Sequence, residues 1–548
     1  MVYSLGIAFH RVSRFTPQRI LQTQTQSDHE AETVQSQEFR AHVGQISSQS
    51  GFFFAGTVFS AIFGYGFKIY LARTLGAEAL GVYALGITLI GLIGIFNNLG
   101  LPESAVRFVA QYQATGQFQA LHALLWRGAS FLLVANIVFA ALLLLVGPWV
   151  AVHFYHSTVL AHYLPWFAPL MVLGTLTHFY GKVLAGYKDL HRRTLIVNFI
   201  GSPLYMLAAI LLISAGLGLS GYLAAQVISA VIVLGLLFAA VRSLTPRPAR
   251  YASQPGQPLQ SDVVSFSSAM IGIGLMEFLM VQVDKISLGY FRGAREVGVY
   301  AVAAAVVAYI SIALHSVNQI FSPMIAGLHS RGDHVMLSRL FQSLTKWVLA
   351  LTLPLAIVVM VFSRIIMRVF GHDFDVGWSI LIIGTLGQLV NCGVGSVGFL
   401  LLMSGNQKRL FRVQIYMAIG MVVLSVLLVP IWGAIGAAIA AMFTNVGMNA
   451  WNLLQVRRAL GLQPYNRSYL KLLPATAAVL LLVLALRHYA NWFVSDWGAL
   501  GAALFLAYGL FAALSFALGL NDDDHMITGA IWTRIATMLG RSEPGEAS

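Results

Sequence analysis

A succession of apolar windows, each near the length that crosses a membrane, limits this chain more than any other feature. Cut at clusters of Gly, Pro and charge, the windows fall near residues 52–72, 80–101, 125–146, 160–184, 194–215, 218–241, 263–288, 297–320, 345–366, 376–403, 410–429, 433–455, 470–488 and 497–520. A hydrocarbon core about 30 Å thick needs roughly 20 apolar residues of helix, and in lipid only helices and closed barrels satisfy every backbone polar group. Composition agrees: 58% of residues are hydrophobic and 10% charged, with mean hydropathy +0.77, against about a quarter charged in soluble domains. The windows predict an all-α integral membrane protein of about 14 transmembrane helices. The fourth and tenth contain Gly and polar positions, so breaks are expected there.

The net charge of +13 needs no nucleic acid to explain it. With the N-terminus placed inside, the tails and even-numbered connections hold 25 of the 33 Lys and Arg, the odd-numbered ones hold 7, and Lys68 lies within the first window. Cytoplasmic loops retain Lys and Arg, so both termini are expected in the cytoplasm of a multi-pass protein. The single Cys392 lies in an apolar window and supports no disulfide framework. No cofactor or metal site is indicated. Residues 1–48 and 521–548 read as cytoplasmic tails, the first polar, without the compact apolar core of a cleavable signal, and expected to be disordered.

The longest internal connection, residues 243–262, is rich in Pro, Ser and Gln and reads as a linker between halves. The halves resemble each other. "KIYLARTLGAEALGVYAL" (68–85) laid on "KISLGYFRGAREVGVYAV" (285–302) matches at nine of eighteen positions with an offset of 217. "GYKDLHRRTLIVNFIG" (186–201) and "GNQKRLFRVQIYMAIG" (405–420) share both end glycines and an internal Arg (Arg193, Arg412) at an offset of 219. The expected organisation is two parallel six-helix repeats around a central cleft, an N-lobe (49–242) and a C-lobe (263–460), plus two C-terminal helices (461–520). Six crossings per copy leave the copies in the same orientation, related by an axis along the membrane normal.

These segments, together with "LGLPESAVRFVAQYQATGQ" and "VPIWGAIGAAIA", resemble the polysaccharide-exporter branch of the flippase superfamily that also holds O-antigen flippases, the peptidoglycan-precursor flippase and multidrug and toxin extrusion pumps. The likeness covers about residues 45 to 460. It implies translocation of an undecaprenyl-pyrophosphate-linked oligosaccharide across the bacterial cytoplasmic (inner) membrane by alternating access, with membrane lipids, a polysaccharide polymerase and chain-length machinery as further partners. Sugar and pyrophosphate cannot cross hydrocarbon unaided, whereas the lipid tail need never leave it. Coupling to a proton or sodium gradient, or to the membrane potential, stays open. The alternatives are a peptidoglycan lipid-precursor flippase and a cation-coupled multidrug exporter. Several arginines inside the first two helices would be expected of the former, and this chain has only Lys68 there before Arg73 at the edge.

Polar residues inside the windows are the pathway candidates, since intramembrane charge is costly and normally turned to a cavity or partner. Glu277 and Asp284 lie seven residues apart, nearly two turns, and should share a helix face; both are cation-coupling candidates, with a structural hydrogen bond or a helix-end anchor as the plain alternative. Gln282 stands between them. Lys68 and Lys285 are repeat mates, placed either to attract the emerging pyrophosphate or to snorkel to headgroups. Asn97 and Asn98, with His315, Asn318 and Gln319 in the corresponding region of the second copy, could bind sugar hydroxyls or simply join helices. Arg107 is a candidate for capturing incoming pyrophosphate, while Lys182, Lys188, Arg192, Arg193, Lys408, Arg409 and Arg412 are read as topology determinants. An enzyme is not expected, because the external acids Glu78, Glu296, Asp373, Asp375 and Asp496 are scattered and form no catalytic constellation.

Overall fold

A computed structural model of the chain describes residues 63–247, 261–489 and 496–517. The expected tails and most of the expected linker lie outside the described residues. Among the described residues there are helices and no strands, and eleven of the helices are long and apolar enough to cross a membrane. The chain is an all-α membrane protein.

Three of these helices are too long for one crossing. Phe63–Asn97 (α1) has 35 residues, Leu190–Leu244 (α5) has 55 and Gln407–Leu460 (α13) has 54; at the helical rise the latter two would reach about 80 Å. Each carries a glycine with positive φ: Gly76 at 78°, Gly216 at 87° and Gly433 at 56°. In α5 and α13 the chain doubles back there. A Cβ placed on Gly221 would lie 3.0 Å from the Leu212 carbonyl carbon, and one on Gly436 would lie 2.3 Å from the Leu428 oxygen, whereas eight or nine residues of straight helix span about 12 Å. At these turns the eleven continuous helices and the expected count of about fourteen part company.

The turn glycines are themselves repeated. Gly76 pairs with Gly293 (φ 85°), and Gly216 with Gly433, both at the offset of 217 read from the sequence. Only Gly adopts such angles without strain, so the duplication extends to backbone conformation.

The first half continues with α2 (Leu101–Ala114), α3 (Phe118–His153) and α4 (Thr158–Gly186). The second comprises α6 (Ser261–Arg292), α7 (Ala294–Ala308), which passes through a tight turn into α8 (Ile312–Ser330), then α9 (His334–Val361), the short α10 (Ser363–Arg368), α11 (Trp378–Val394), α12 (Val397–Met403) and α13. Against expectation the fourth window is unbroken: α4 runs for 29 residues through Pro165, Pro169 and Gly174. One glycine costs a helix about 1 kcal/mol, less than the unsatisfied backbone groups a break would leave in lipid. The tenth window does break, at Gly395 (φ 76°), where a Cβ would lie 2.3 Å from the Thr345 hydroxyl of α9.

α6 touches both halves. Its start packs Val263 and Phe266 against Leu101, Ala105 and Phe108 of α2, and its later turns pack Leu279 and Val283 against Met421 and Ala440 of α13. α14 (Leu472–His488) and α15 (Asp496–Ala517) lie against α9, where the Tyr508 hydroxyl donates to the Leu351 carbonyl at 2.8 Å. The outer surface is apolar: Val134, Ile137, Val138 and Leu145 of α3 and Phe505 of α15 are all exposed, the inverse of a soluble core.

Candidate functional site

The bundle has two ends: the linker end, where α5 finishes and α6 starts, and the far end, where Gly76 and Gly293 turn the chain. At the far end the copies meet through small residues. A Cβ on Gly81 would lie 1.7 Å from the Ala294 carbonyl oxygen, and one on Gly298 would lie 1.9 Å from that of Ala77. Ala77 and Gly81 are the repeat mates of Ala294 and Gly298, so the contact is reciprocal. Each copy presents Ala-x-x-x-Gly, the spacing that lets helix backbones in membranes approach closely. The repeat alignment carries this signal at identical positions in both copies, in small residues rather than polar ones.

Below that contact a polar chain crosses between halves. The buried Thr88 hydroxyl of α1 donates to Gln282 Oε1 of α6 at 3.3 Å, and Lys285 Nζ donates to the same oxygen at 2.7 Å and to the Val281 carbonyl at 3.1 Å. Lys285 therefore bends back along its own helix into the seam. Its mate Lys68 is exposed, so the two lysines have different settings.

The two acids of α6 also differ. Asp284 is 6% exposed and takes a hydrogen bond from the fully buried Tyr300 hydroxyl of α7, with its own helix supplying the Lys285 amide. Glu277 is exposed, on a stripe with Ile273 and Val281, while the adjacent Phe278 packs 3.4 Å from where a Cβ on Gly91 would stand. α6 and α7 meet at their far-end turn, so the face that Tyr300 closes over Asp284 is open two turns earlier.

Asn97 is fully buried, its side-chain amide donating to Asn136 Oδ1 of α3 at 2.8 Å, and Asn136 in turn donates to the Asn97 and Leu132 carbonyls. Asn318 is buried and accepts from the Ser396 hydroxyl at the α11–α12 break. Both serve helix joints within their own half. Of their neighbours, Asn98 is half-buried at the bend formed by Leu99 and Gly100 (φ 51° and 64°) with its Oδ1 enclosed, and its mate His315 is exposed. Nothing is described for the Gln319 side chain. Arg107 lies over the Phe266 ring of α6 at 5.2 Å, at the linker end of the seam.

One cavity lies on this seam and another within the second half. One of about 450 Å³, almost wholly apolar, lies where α1 meets α7 and α8, walled by Tyr65, Val306, Tyr309, Leu355 and Leu504, with Tyr65 and Tyr309 edge to face at 5.5 Å. The other, of about 500 Å³, lies at the far end beside Arg292, Glu296 and Gly433; there Glu296 accepts from the Ala434 amide and Arg292 donates to the Pro430 carbonyl, so both cap the broken ends of α13. Asp373 pairs with Arg295, and Asp375 with Arg364 and Arg368. Among the described residues no group of three His, Cys, Asp or Glu is placed to hold a metal ion.

Residues 48–329, more than half of the chain, match the family model described as polysaccharide biosynthesis protein. The chain belongs to that family. A second model, MatE, matches residues 269–431 of this polysaccharide biosynthesis protein, which places it in the flippase superfamily that the sequence resembles. No curated protein matches the sequence. Among solved structures it is similar to the lipid II flippase MurJ in an inward closed conformation, at 15% identity over 85% of this chain and 98% of that one, with TM-score 0.65. An inward-facing MATE family multidrug resistance transporter follows at 14% identity, 73% and 94% coverage and TM-score 0.60, and a mutant of the Vibrio cholerae MATE transporter VcmN at 16%, 76% and 98%, and 0.54. These likenesses show the fold. With its eleven apolar helices and both family models, the chain is a membrane protein of the flippase superfamily.

Proposed function

We propose that this protein flips an undecaprenyl-pyrophosphate-linked oligosaccharide, an O-antigen, capsule or exopolysaccharide unit, across the bacterial cytoplasmic membrane by alternating access. The observation that carries the reading is the seam's mixed character: Thr88, Gln282 and Lys285 form a polar, cationic patch between the halves, while the cavity at Tyr65 and Tyr309 on the same seam is apolar. Such a pairing suits a charged sugar headgroup whose hydrocarbon anchor stays in lipid. The Lys and Arg asymmetry supports a cytoplasmic linker end, and on that reading the Ala77–Gly81 and Ala294–Gly298 contact is the outer closure. α15, which lines the apolar cavity through Leu500 and Leu504, supports a lipid-linked substrate over a soluble drug. Glu277 is the proposed coupling group.

Deletion of the gene should abolish surface polysaccharide while its lipid-linked precursor accumulates on the inner leaflet. Loss of polysaccharide with no accumulation of precursor would place the protein elsewhere in the route and refute the assignment.

A further inference from the structure

The first half carries a charged cluster of which its duplicate keeps only the arginine. At the linker end, Glu103 in the first turn of α2 takes the Lys182 ammonium of α4 on both carboxylate oxygens at 2.8 Å. His178, one turn earlier on α4, stands with Nε2 3.8 Å from the same carboxylate. Arg193 of α5 stands beside the group, its Nε 3.6 Å from where a Cβ on Gly181, next to Lys182, would stand. One carboxylate faces a lysine and a histidine, with an arginine alongside.

The second copy keeps the arginine, as Arg412, and builds the rest of the joint without charge. At the offset of 217, Glu103 corresponds to Ile320, and at the offset of 219, His178 and Lys182 correspond to Val397 and Leu401. Val397 and Leu401 are 1% and 0% exposed in an apolar cluster with Phe321 and Leu337. Within one chain the duplicate acts as a control: the helix joint packs well with apolar residues. Ion pairs as exposed as the Glu103 group contribute only about 0–1 kcal/mol, so stability does not account for the cluster.

The cluster also adjoins the contact between halves. Ser104, next to Glu103, has its hydroxyl 2.6 Å from that of Ser267 in α6, and a Cβ on Gly100 would lie 2.1 Å from the Ser267 carbonyl oxygen. Arg107, one turn on, covers Phe266. Glu103 is thus one residue from the α2–α6 contact.

We propose that Lys182, Arg193 and His178 form a capture site for the diphosphate ester of a polyprenyl carrier at the cytoplasmic end of the seam, with Glu103 an internal stand-in that the diphosphate displaces; this rests on the flippase reading above. A diphosphate offers more anionic oxygens than a carboxylate and engages the arginine by its fork, the lysine as a mobile point charge and the His178 imidazole as a hydrogen-bond donor. Glu103, 45% exposed, swings to water at little cost. Its release loosens α2 from α6, which joins capture to movement of the halves.

The test uses the full chain in nanodiscs of neutral lipid, with sugar-free undecaprenyl pyrophosphate as the probe. Lys182→Met should weaken binding about tenfold, as loss of a charge-assisted hydrogen bond does. Glu103→Gln should tighten it several-fold, since the competing carboxylate is gone; no change or a loss would mark a purely structural ion pair and overturn the proposal. The triple variant Glu103→Ile, His178→Val, Lys182→Leu takes the second copy's residues, should keep its thermal midpoint, and should lose binding; wild-type binding in it overturns the proposal. Phosphatidylglycerol should not compete, and equal competition would assign the site to bulk headgroups instead. Because the probe carries no sugar, a failed export phenotype for the deletion would leave this binding result standing, whereas wild-type export by the triple variant would remove the capture role and leave the flippase reading intact.

Discussion

Seven residues separate Glu277 from Asp284, a spacing that puts them within about 20° of each other around a helix, yet one is exposed and the other buried. Periodicity was enough to place them on one face. It could not say that Tyr300, sixteen residues further on and on another helix, closes that face at one level only. The same limit applies to Asn97 and Asn318, whose depth was readable but whose partners Asn136 and Ser396 are distant in sequence. Glu277→Gln should reduce export strongly at near-normal protein abundance; full activity would remove its coupling role. Tyr300→Phe leaves Asp284 without its interhelical donor and should lower stability by roughly 0.6–2 kcal/mol, measured as thermal midpoint in detergent. For the lysines, Lys285→Ala should slow export more than Lys68→Ala, since Lys285 alone is held in the seam by Gln282, and equal rates in both variants would favour a headgroup role.

Among elements, the repeat was the most legible feature because it is written in backbone-determining residues. Gly76 with Gly293 and Gly216 with Gly433 set the same left-handed turns in both copies, and Ala-x-x-x-Gly sets the same close approach. Windows could be counted but not joined: whether a chain turns or continues at a glycine depends on what packs beside it, as Thr345 does at Gly395 and nothing does at Gly174. Gly81→Leu or Gly298→Leu drives a branched side chain into the opposite backbone and should prop the far end open. The expected readout is faster labelling of a cysteine placed at Thr88 by an impermeant maleimide added from outside; unchanged labelling would show that the contact is not a gate.

For the whole molecule, the fold class and the duplication followed from composition and self-similarity, while the cross-half contacts emerged only when helices 217 residues apart were brought together. α6 belongs to both halves, with its start on α2 and its later turns on α13, so the halves are hinged through a shared element. The central claim is that they part at the far end during each transport cycle. The most direct measurement joins Ala77→Cys to Ala294→Cys with a short bismaleimide linker, in a variant whose buried Cys392 is replaced, and follows leaflet transfer of a lipid-linked oligosaccharide in proteoliposomes. Transfer should stop on cross-linking and persist in either single-cysteine protein under the same treatment; transfer at the uncross-linked rate with the two halves tied together would contradict the account.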